Sequence, residues 1–299
     1  MNSPRKDLPL FPLKALQALC TLAFAEDEGT GDVTSEAVIE PGHRSRAYLL
    51  AKESGVLAGA PCVEAIFRHR GLAPRVEWAC AEGEDFKAGQ VLARFEGGTR
   101  DLLLCERIIL NFLQRFCGIA TTTRKFAEAA GPRTKILDTR KTLPGYRLLD
   151  KYAVVLGGGV NHRQGLFDRV LIKDNHSEAS GSARAAVDRV IAKVSRALPL
   201  QVEVRNLDEL ETLLETPVDS ILLDNMSDED LQSAVERVRA VAPHIKLEAS
   251  GGMDLPRVRR LRDMGLDFIS VGALTHSVQA LDLSLKIGTG PGEVKRGRK

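Results

Sequence analysis

The chain has no Cys-x-x-Cys pair, no apolar run of membrane-spanning length and no excess of either charge. Each absence removes a class of function. The five cysteines, Cys20, Cys62, Cys80, Cys105 and Cys117, are odd in number and widely spaced. That argues against a zinc knuckle or a disulfide framework and reads as buried thiols in a reducing compartment. A formal net charge of +2 over 299 residues sets up no global field, so neither nucleic acid nor a membrane surface is an expected partner. A Rossmann fingerprint, a P-loop and an internal repeat are also missing. What is present, 43% hydrophobic and 27% charged residues, supports a full core in one large or two medium domains.

The N-terminal stretch needs a decision. Ala23-Phe-Ala25 imitates a signal-cleavage site, but Pro9, Pro12, Lys14 and Gln17 interrupt the apolar run before it. Leu13, Leu16, Leu19, Cys20 and Ala23 instead form a helical stripe with Pro12 placed for a helix start. The reading is an amphipathic helix of a cytoplasmic protein.

Two regions follow with different rhythms. From Arg46 to Gly98, short strands (Ala47–Ala51, Val56–Ala58, Val76–Trp78 and Val91–Phe95) alternate with Gly-rich turns, which predicts an antiparallel sheet in a smaller α+β domain. A long helical pattern then runs from Leu102 to Ala130. On it Arg107, Asn111 and Arg115 share one face; Arg115 reads as part of a solvated stripe, while Arg107 could reach a ligand.

In the second half, six apolar runs each end on a charged or small residue: Lys135–Lys141, Val170–Asp174, Val202–Val204, Ile221–Asp224, Lys246–Gly252 and Phe268–Gly272. Strands alternating with helical stretches predict a parallel sheet, and functional groups at strand ends point to an α/β barrel with its site at the carboxyl ends. Arg140, Lys141, Lys173, Glu203, Asp224, Ser250 and Gly272 then surround one mouth.

Chemistry follows from residue type. Arg140 and Lys141 are adjacent cations suited to a dianion, Arg as a planar fork and Lys as a point charge. Gly157-Gly-Gly precedes His162 and Arg163 and allows close backbone approach to a ligand. Lys173 ends an apolar strand, so it must face a charged ligand or a carboxylate, and Glu203 and Asp224 are the natural partners. Two acids in a basic pocket can bind ribose hydroxyls, hold Mg²⁺ or stabilise an oxocarbenium centre. Ser250, Gly251, Gly252 and Gly272 offer backbone N–H groups to a phosphate.

Glu26–Thr34, Asp138–Gly145, Gly157–Arg163, Leu171–His176, the strand ends at Glu203 and Asp224, and Glu248–Gly252 together resemble the quinolinate phosphoribosyltransferase family over about residues 13–287. The resemblance implies an open six-stranded α/β barrel with an N-terminal α/β sandwich domain. The corresponding division is residues 1–118 for the sandwich and its connecting helix, 119–287 for the barrel, and a disordered tail at 288–299. The activity implied is phosphoribosyl transfer from phosphoribosyl pyrophosphate to quinolinate with decarboxylation, in NAD biosynthesis, with Mg²⁺ as cofactor. By position, Arg140, His162, Arg163 and Lys173 would bind the quinolinate carboxylates, joined by Arg107 from the neighbouring subunit of a homodimer with shared active sites. Lys141 would contact phosphoribosyl pyrophosphate. Glu203 and Asp224 would hold the ribose and its Mg²⁺. Ser250, Gly251, Gly252 and Gly272, with His276, would hold the 5-phosphate. The rivals are a molybdenum-uptake-type paralogue of the same fold, a nicotinate phosphoribosyltransferase, and a non-catalytic binder of phosphorylated metabolites.

Overall fold

The computed structural model describes residues 8–194 and 197–291. The chain divides into two compact units, one of residues 1–122, 143–157 and 277–299, the other of residues 123–142 and 158–276.

The first unit starts with α1 (Leu13–Asp27) and α2 (Val33–Val38). Pro12 stands at the N-cap of α1, and Leu16, Cys20 and Phe24, four residues apart, bury one stripe of it. Then come β1 (Arg44–Ala51), β2 (Gly55–Val56), α3 (Ala60–His69), β3 (Arg75–Trp78), β4 (Asp85–Phe86), β5 (Val91–Gly98) and the 32-residue α4 (Thr99–Ala130), whose residues from Thr123 onward count with the second unit. In β1, Ala47, Leu49 and Ala51 are buried on alternate positions, the pattern of a half-buried strand.

The second unit holds β6 (Lys135–Leu137); α5 (Arg147–Leu156), next in the chain, belongs to the first. The second unit continues through β7 (Val170–Ile172), α6 (Asp174–Ser180), α7 (Ala183–Lys193), β8 (Leu200–Val204), α8 (Leu207–Glu211) and β9 (Ser220–Asp224). It ends with α9 (Asp228–Val241), β10 (Lys246–Ser250), α10 (Leu255–Leu261), β11 (Phe268–Ser270) and α11 (Ala273–His276). All six strands are parallel, in the order β6-β11-β10-β9-β8-β7. β6 and β7 end the order without pairing with each other, so the barrel is open. A parallel bridge from Val160 to Leu137 covers the β6 edge instead. Val202, Ile221, Leu223, Leu247, Ala249 and Ile269 are fully buried, each large side chain contributing about 1.5–3 kcal/mol of apolar burial.

The last strand, β12 (Leu283–Ile287), falls within the span expected for the barrel, yet it joins the antiparallel sheet, whose order is β12-β1-β5-β3. Its alternating buried Leu283 and Leu285 match the half-covered face of β1, with Leu49 opposite Leu285. Residues 288–291, expected as the start of a disordered tail, are seated there too. Gly288 N–H donates to Arg46 O at 2.8 Å, and the Arg94 guanidinium donates to Thr289 O and, at 3.4 Å, to Pro291 O. The rest of that expected tail, 292–299, lies outside the described residues.

Arg115 differs from its reading as solvated. Its guanidinium grips Asp150 of α5 in two parallel hydrogen bonds of 2.9 and 2.8 Å and lies over the Tyr146 ring. Asp150 is fully buried, so the arginine supplies the charge that keeps the carboxylate tolerable. All five cysteines are buried and free, and burial pushes the Cys20 thiol up to about 11. No helix among the described residues is long and apolar enough to cross a membrane.

Candidate active site

The carboxyl ends of the six parallel strands bring most of the candidate residues to one side of the sheet. After β6 the chain turns through Asp138, Arg140 and Lys141. Asp138 is fully buried and accepts the His162 backbone N–H at 2.8 Å, which pins residues 160–163 beside this turn. His162 Nδ1 accepts the Arg163 N–H at 2.7 Å, so the ring seats the arginine that follows it. Arg163 is buried, and burial together with the nearby Arg140 holds its guanidinium below its ordinary pKa. Two guanidiniums close enough to repel one another are chemically suited to an anion.

Beneath His162 lies Glu248, on β10. It is almost wholly buried, with one oxygen accepting from Ser270 Oγ and the other from Gln201 Nε2 at 2.7 Å. His162 Nε2 stands 3.6 Å from the same Glu248 Oε2. Burial pushes the Glu248 carboxyl up, against the two hydrogen bonds. Asp138, Gln201, Glu248 and Ser270 carried no role in the sequence reading. Polar residues inside otherwise apolar strands were the available signal.

The acids form a second cluster. Glu203 on β8 is pushed up by burial and by the like charge of Asp224, and pulled down by Lys173 and by the Asp174 backbone N–H. The structure therefore brings Lys173, Glu203 and Asp224 together. Asp224 also accepts from Asn225 Nδ2 at 2.7 Å. Asn225, another residue that the sequence reading passed over, holds a left-handed φ of 55° and donates its N–H to Ser250 O at 2.9 Å.

The third cluster is made of turns. Gly251 has φ 91°, and a Cβ there would collide with Asn225 Oδ1. A Cβ on Gly272 would lie 3.1 Å from the His276 ring and 3.3 Å from Lys141 Cδ, so glycine keeps these two side chains close to bare backbone. Thr275 Oγ1 donates to Lys141 O at 2.8 Å and ties the turn after β11 to the turn after β6. Ser250, the last residue of β10, and Gly252 beyond it complete this edge. Arg107, the remaining candidate, is exposed on α4.

Comparison with known proteins identifies the family. A family model described as quinolinate phosphoribosyl transferase, C-terminal domain, matches residues 119–286, and its N-terminal counterpart matches residues 32–117. The chain belongs to the quinolinate phosphoribosyl transferase family. Among curated relatives, a nicotinate-nucleotide pyrophosphorylase [carboxylating], chloroplastic, of Oryza sativa subsp. japonica is 43% identical over 297 residues, covering 94% of this chain and 80% of the relative. The protein of the same name from Arabidopsis thaliana is also 43% identical, over 94% of this chain and 85% of the relative. The solved structure of the nicotinate-nucleotide pyrophosphorylase from Francisella tularensis superposes with a TM-score of 0.87 at 36% identity, covering 95% of this chain and 99% of that one. This quinolinate phosphoribosyl transferase family member is thus matched along nearly all of its length, in both its sheet-bearing units.

Proposed function

We propose that this chain transfers the phosphoribosyl group of phosphoribosyl pyrophosphate to quinolinate with loss of CO₂, forming nicotinate mononucleotide and pyrophosphate in de novo NAD biosynthesis. The observation that carries the reading is the segregation of charge along one edge of the parallel sheet. A partly desolvated Arg140–Arg163 pair, with His162 and Lys173, suits a pyridine dicarboxylate. The Glu203–Asp224 pair and the glycine turns after β10 and β11 suit a phosphorylated ribose.

In this reading the ring nitrogen of quinolinate attacks C1 of the ribose as the bond to pyrophosphate breaks through an oxocarbenium-like state. The resulting pyridinium takes up the electron pair of the breaking C–C bond, so the adjacent carboxylate leaves as CO₂ and a proton replaces it. No protein nucleophile is needed. Arg140 and Arg163 orient the dicarboxylate, with His162 seating Arg163. Glu203 and Asp224 position the ribose and favour positive charge at its C1, while Lys141 contacts the pyrophosphate-bearing donor. Ser250, Gly251, Gly252, Gly272 and His276 hold the 5-phosphate. Catalysis is positioning and electrostatics.

Mg²⁺ fits the acids. Burial and the like charge of Asp224 push the Glu203 carboxyl up, a repulsion that a divalent cation would relieve. Among the described residues no group of three or more His, Cys, Asp or Glu is placed to hold a metal. Mg²⁺ held by one or two carboxylates, with phosphate oxygens and water, is the usual arrangement for phosphate substrates. The reading extends to a homodimer in which Arg107 joins the site of the neighbouring subunit, because Arg107 is an exposed cation on a helix outside the barrel strands. It also places the protein in the cytoplasm: the stripe Leu16, Cys20 and Phe24 of α1 is buried in the folded unit, which supports its being part of the domain.

The test is turnover of purified protein with quinolinate, phosphoribosyl pyrophosphate and Mg²⁺, following nicotinate mononucleotide. Quinolinate is expected to react and nicotinate to be rejected, because one carboxylate would leave buried cations unmatched. Comparable turnover on nicotinate, or donor binding without pyrophosphate release, overturns the proposal.

A further inference from the structure

β9 ends on Asp224 and turns at Asn225, and β10 ends on Ser250 and turns at Gly251 and Gly252. The strands are in register there, with Ser250 paired to Asp224. Beyond the strand ends the two turns are joined by the Asn225 N–H to Ser250 O bond and by one side chain, Arg257 on α10.

All three guanidinium nitrogens of Arg257 are engaged. Nη1 donates to Gly251 O at 2.8 Å, Nη2 donates to Met226 O at 2.6 Å, and Nε donates to Asp228 Oδ1 at 3.0 Å. The planar fork thus bridges a carbonyl of each turn while its charge is met by Asp228 at the start of α9. Asp228 is held in turn by Arg260 Nε at 3.0 Å. Burial alone would push the Asp228 carboxyl up; the hydrogen bonds from Arg260 and Arg257 reverse this and hold it below its ordinary range. The Arg257 side chain is only 16% exposed, and its backbone N–H is fixed by Asp254, the N-cap of α10. The fork is therefore oriented before any ligand arrives. The carbonyls that it holds belong to Gly251 itself and to the residue next to Asn225. The relative height of the two turns sets how closely Asn225 nests under Gly251, where even a methyl group would collide.

We propose that Arg257 is a positioning residue for the donor half of the site: it fixes the Gly251–Gly252 backbone cradle relative to the turn that follows the Asp224 carboxylate. This rests on the proposed assignment of those groups to ribose and 5-phosphate. The ligand is a ribose 5-phosphate unit, whose ring hydroxyls and phosphate are joined by a few bonds and so can span only a limited distance. A shift of about 1 Å between the groups that grip those ends is enough to cost on the order of 100-fold in rate. Lysine cannot substitute, because a single ammonium group lacks the fork that reaches both carbonyls and the carboxylate.

The test compares wild type with Arg257→Lys and Arg257→Met, measuring KM for phosphoribosyl pyrophosphate, KM for quinolinate, kcat and thermal midpoint. Assays run at least about 15 °C below the lowest midpoint, a margin set against the shift of a few degrees expected for each kcal/mol. The expected result is a rise in donor KM of about 10-fold or more, a fall in kcat, and quinolinate KM within about 3-fold for both variants. If Arg257→Met does not fold, Asp228→Asn, which weakens only the charge partner of the fork, is expected to raise donor KM in the same direction and by less. Unchanged donor KM in a variant with a lowered midpoint, or equal rises in both KM values, overturns the proposal and leaves Arg257 a structural residue. Wild-type protein without turnover on quinolinate and donor instead overturns the functional reading beneath it. Donor binding measured directly with phosphoribosyl pyrophosphate then still reports on Arg257.

Discussion

Replacing Arg115 by alanine removes both guanidinium hydrogen bonds to Asp150, of 2.9 and 2.8 Å, and leaves a carboxylate with no exposed surface. An exposed ion pair would contribute less than about 1 kcal/mol. Here Arg115 is 16% exposed and Asp150 is not exposed at all, so the loss belongs to the buried class, about 3–5 kcal/mol. The stacking of Arg115 over Tyr146, with Cζ 5.2 Å from the ring centroid, adds about 0.5–1 kcal/mol. At about 2–4 °C per kcal/mol, the midpoint of thermal unfolding should fall by roughly 10 °C. The effect also has a signed pH dependence. Burial raises the Asp150 pKa in the folded protein and Arg115 opposes that rise; without Arg115 the folded value climbs further above the unfolded one. A carboxyl whose folded pKa is raised is penalised above its unfolded pKa, increasingly until the pH passes the folded value. The gap between wild type and Arg115→Ala should therefore widen as pH rises from about 4.5 towards 8. The double variant Arg115→Met with Asp150→Leu should recover most of the loss, because no uncompensated charge remains. Thermal scans of the three proteins across this pH range make the measurement. A shift under about 2 °C at pH 8, the size expected of an exposed pair, or a gap independent of pH, would refute the argument.

The remaining expectations follow from the same groups. Asp224→Asn should lower turnover by about 10²-fold or more while quinolinate affinity stays within a few-fold, the pattern of a lost transition-state interaction; a collapse of quinolinate binding in a Mg²⁺ series would assign the acid to the other substrate. Mixing Arg107→Ala protein with Lys141→Ala protein should restore part of the activity through heterodimers, and no recovery after verified subunit exchange would mean self-contained sites. Glu82 accepts from the Ala60 N–H and from Tyr152 Oη at 3.1 Å, yet burial pushes it up to about 7 from 4.5. Its ionised form is then penalised above about pH 4.5 and fully above about 7, by roughly 3 kcal/mol at 1.36 kcal/mol per unit. Glu82→Gln should accordingly gain stability relative to wild type between pH 5 and 8, read from urea midpoints; a difference that is flat with pH would remove the argument.

Much of the barrel was legible because parallel strands buried on both faces must be continuous apolar runs, and residues that break such a run at its end must face solvent or a ligand. Lys173, Glu203 and Asp224 stood out on that ground, and the structure brings them together. Arg140 and Arg163 were visible as cations on turns, but their proximity depends on the Val160 bridge to Leu137 and the Asp138 bond to His162. Neither has a local signal, since each joins segments separated by α5. β12 has no distinctive local signal for a related reason: Leu283 and Leu285 alternate as any half-buried strand would, and the partner that makes this strand antiparallel lies near the other end of the chain.

Local pattern by itself determined which segments are strands or helices, which ends bear charge, and the family to which these motifs belong. These depend on side-chain period and backbone chemistry within a few residues. Only the tertiary structure decided which polar groups are partnered. It turned Arg115 from an apparent surface cation into the counter-charge of a buried acid, set Glu248 beneath His162, and aimed the three nitrogens of Arg257 at two turns and a carboxylate. The reason is physical. A charged side chain reads the same in sequence whether it meets water or a partner, and the difference in energy appears only when folding removes the water.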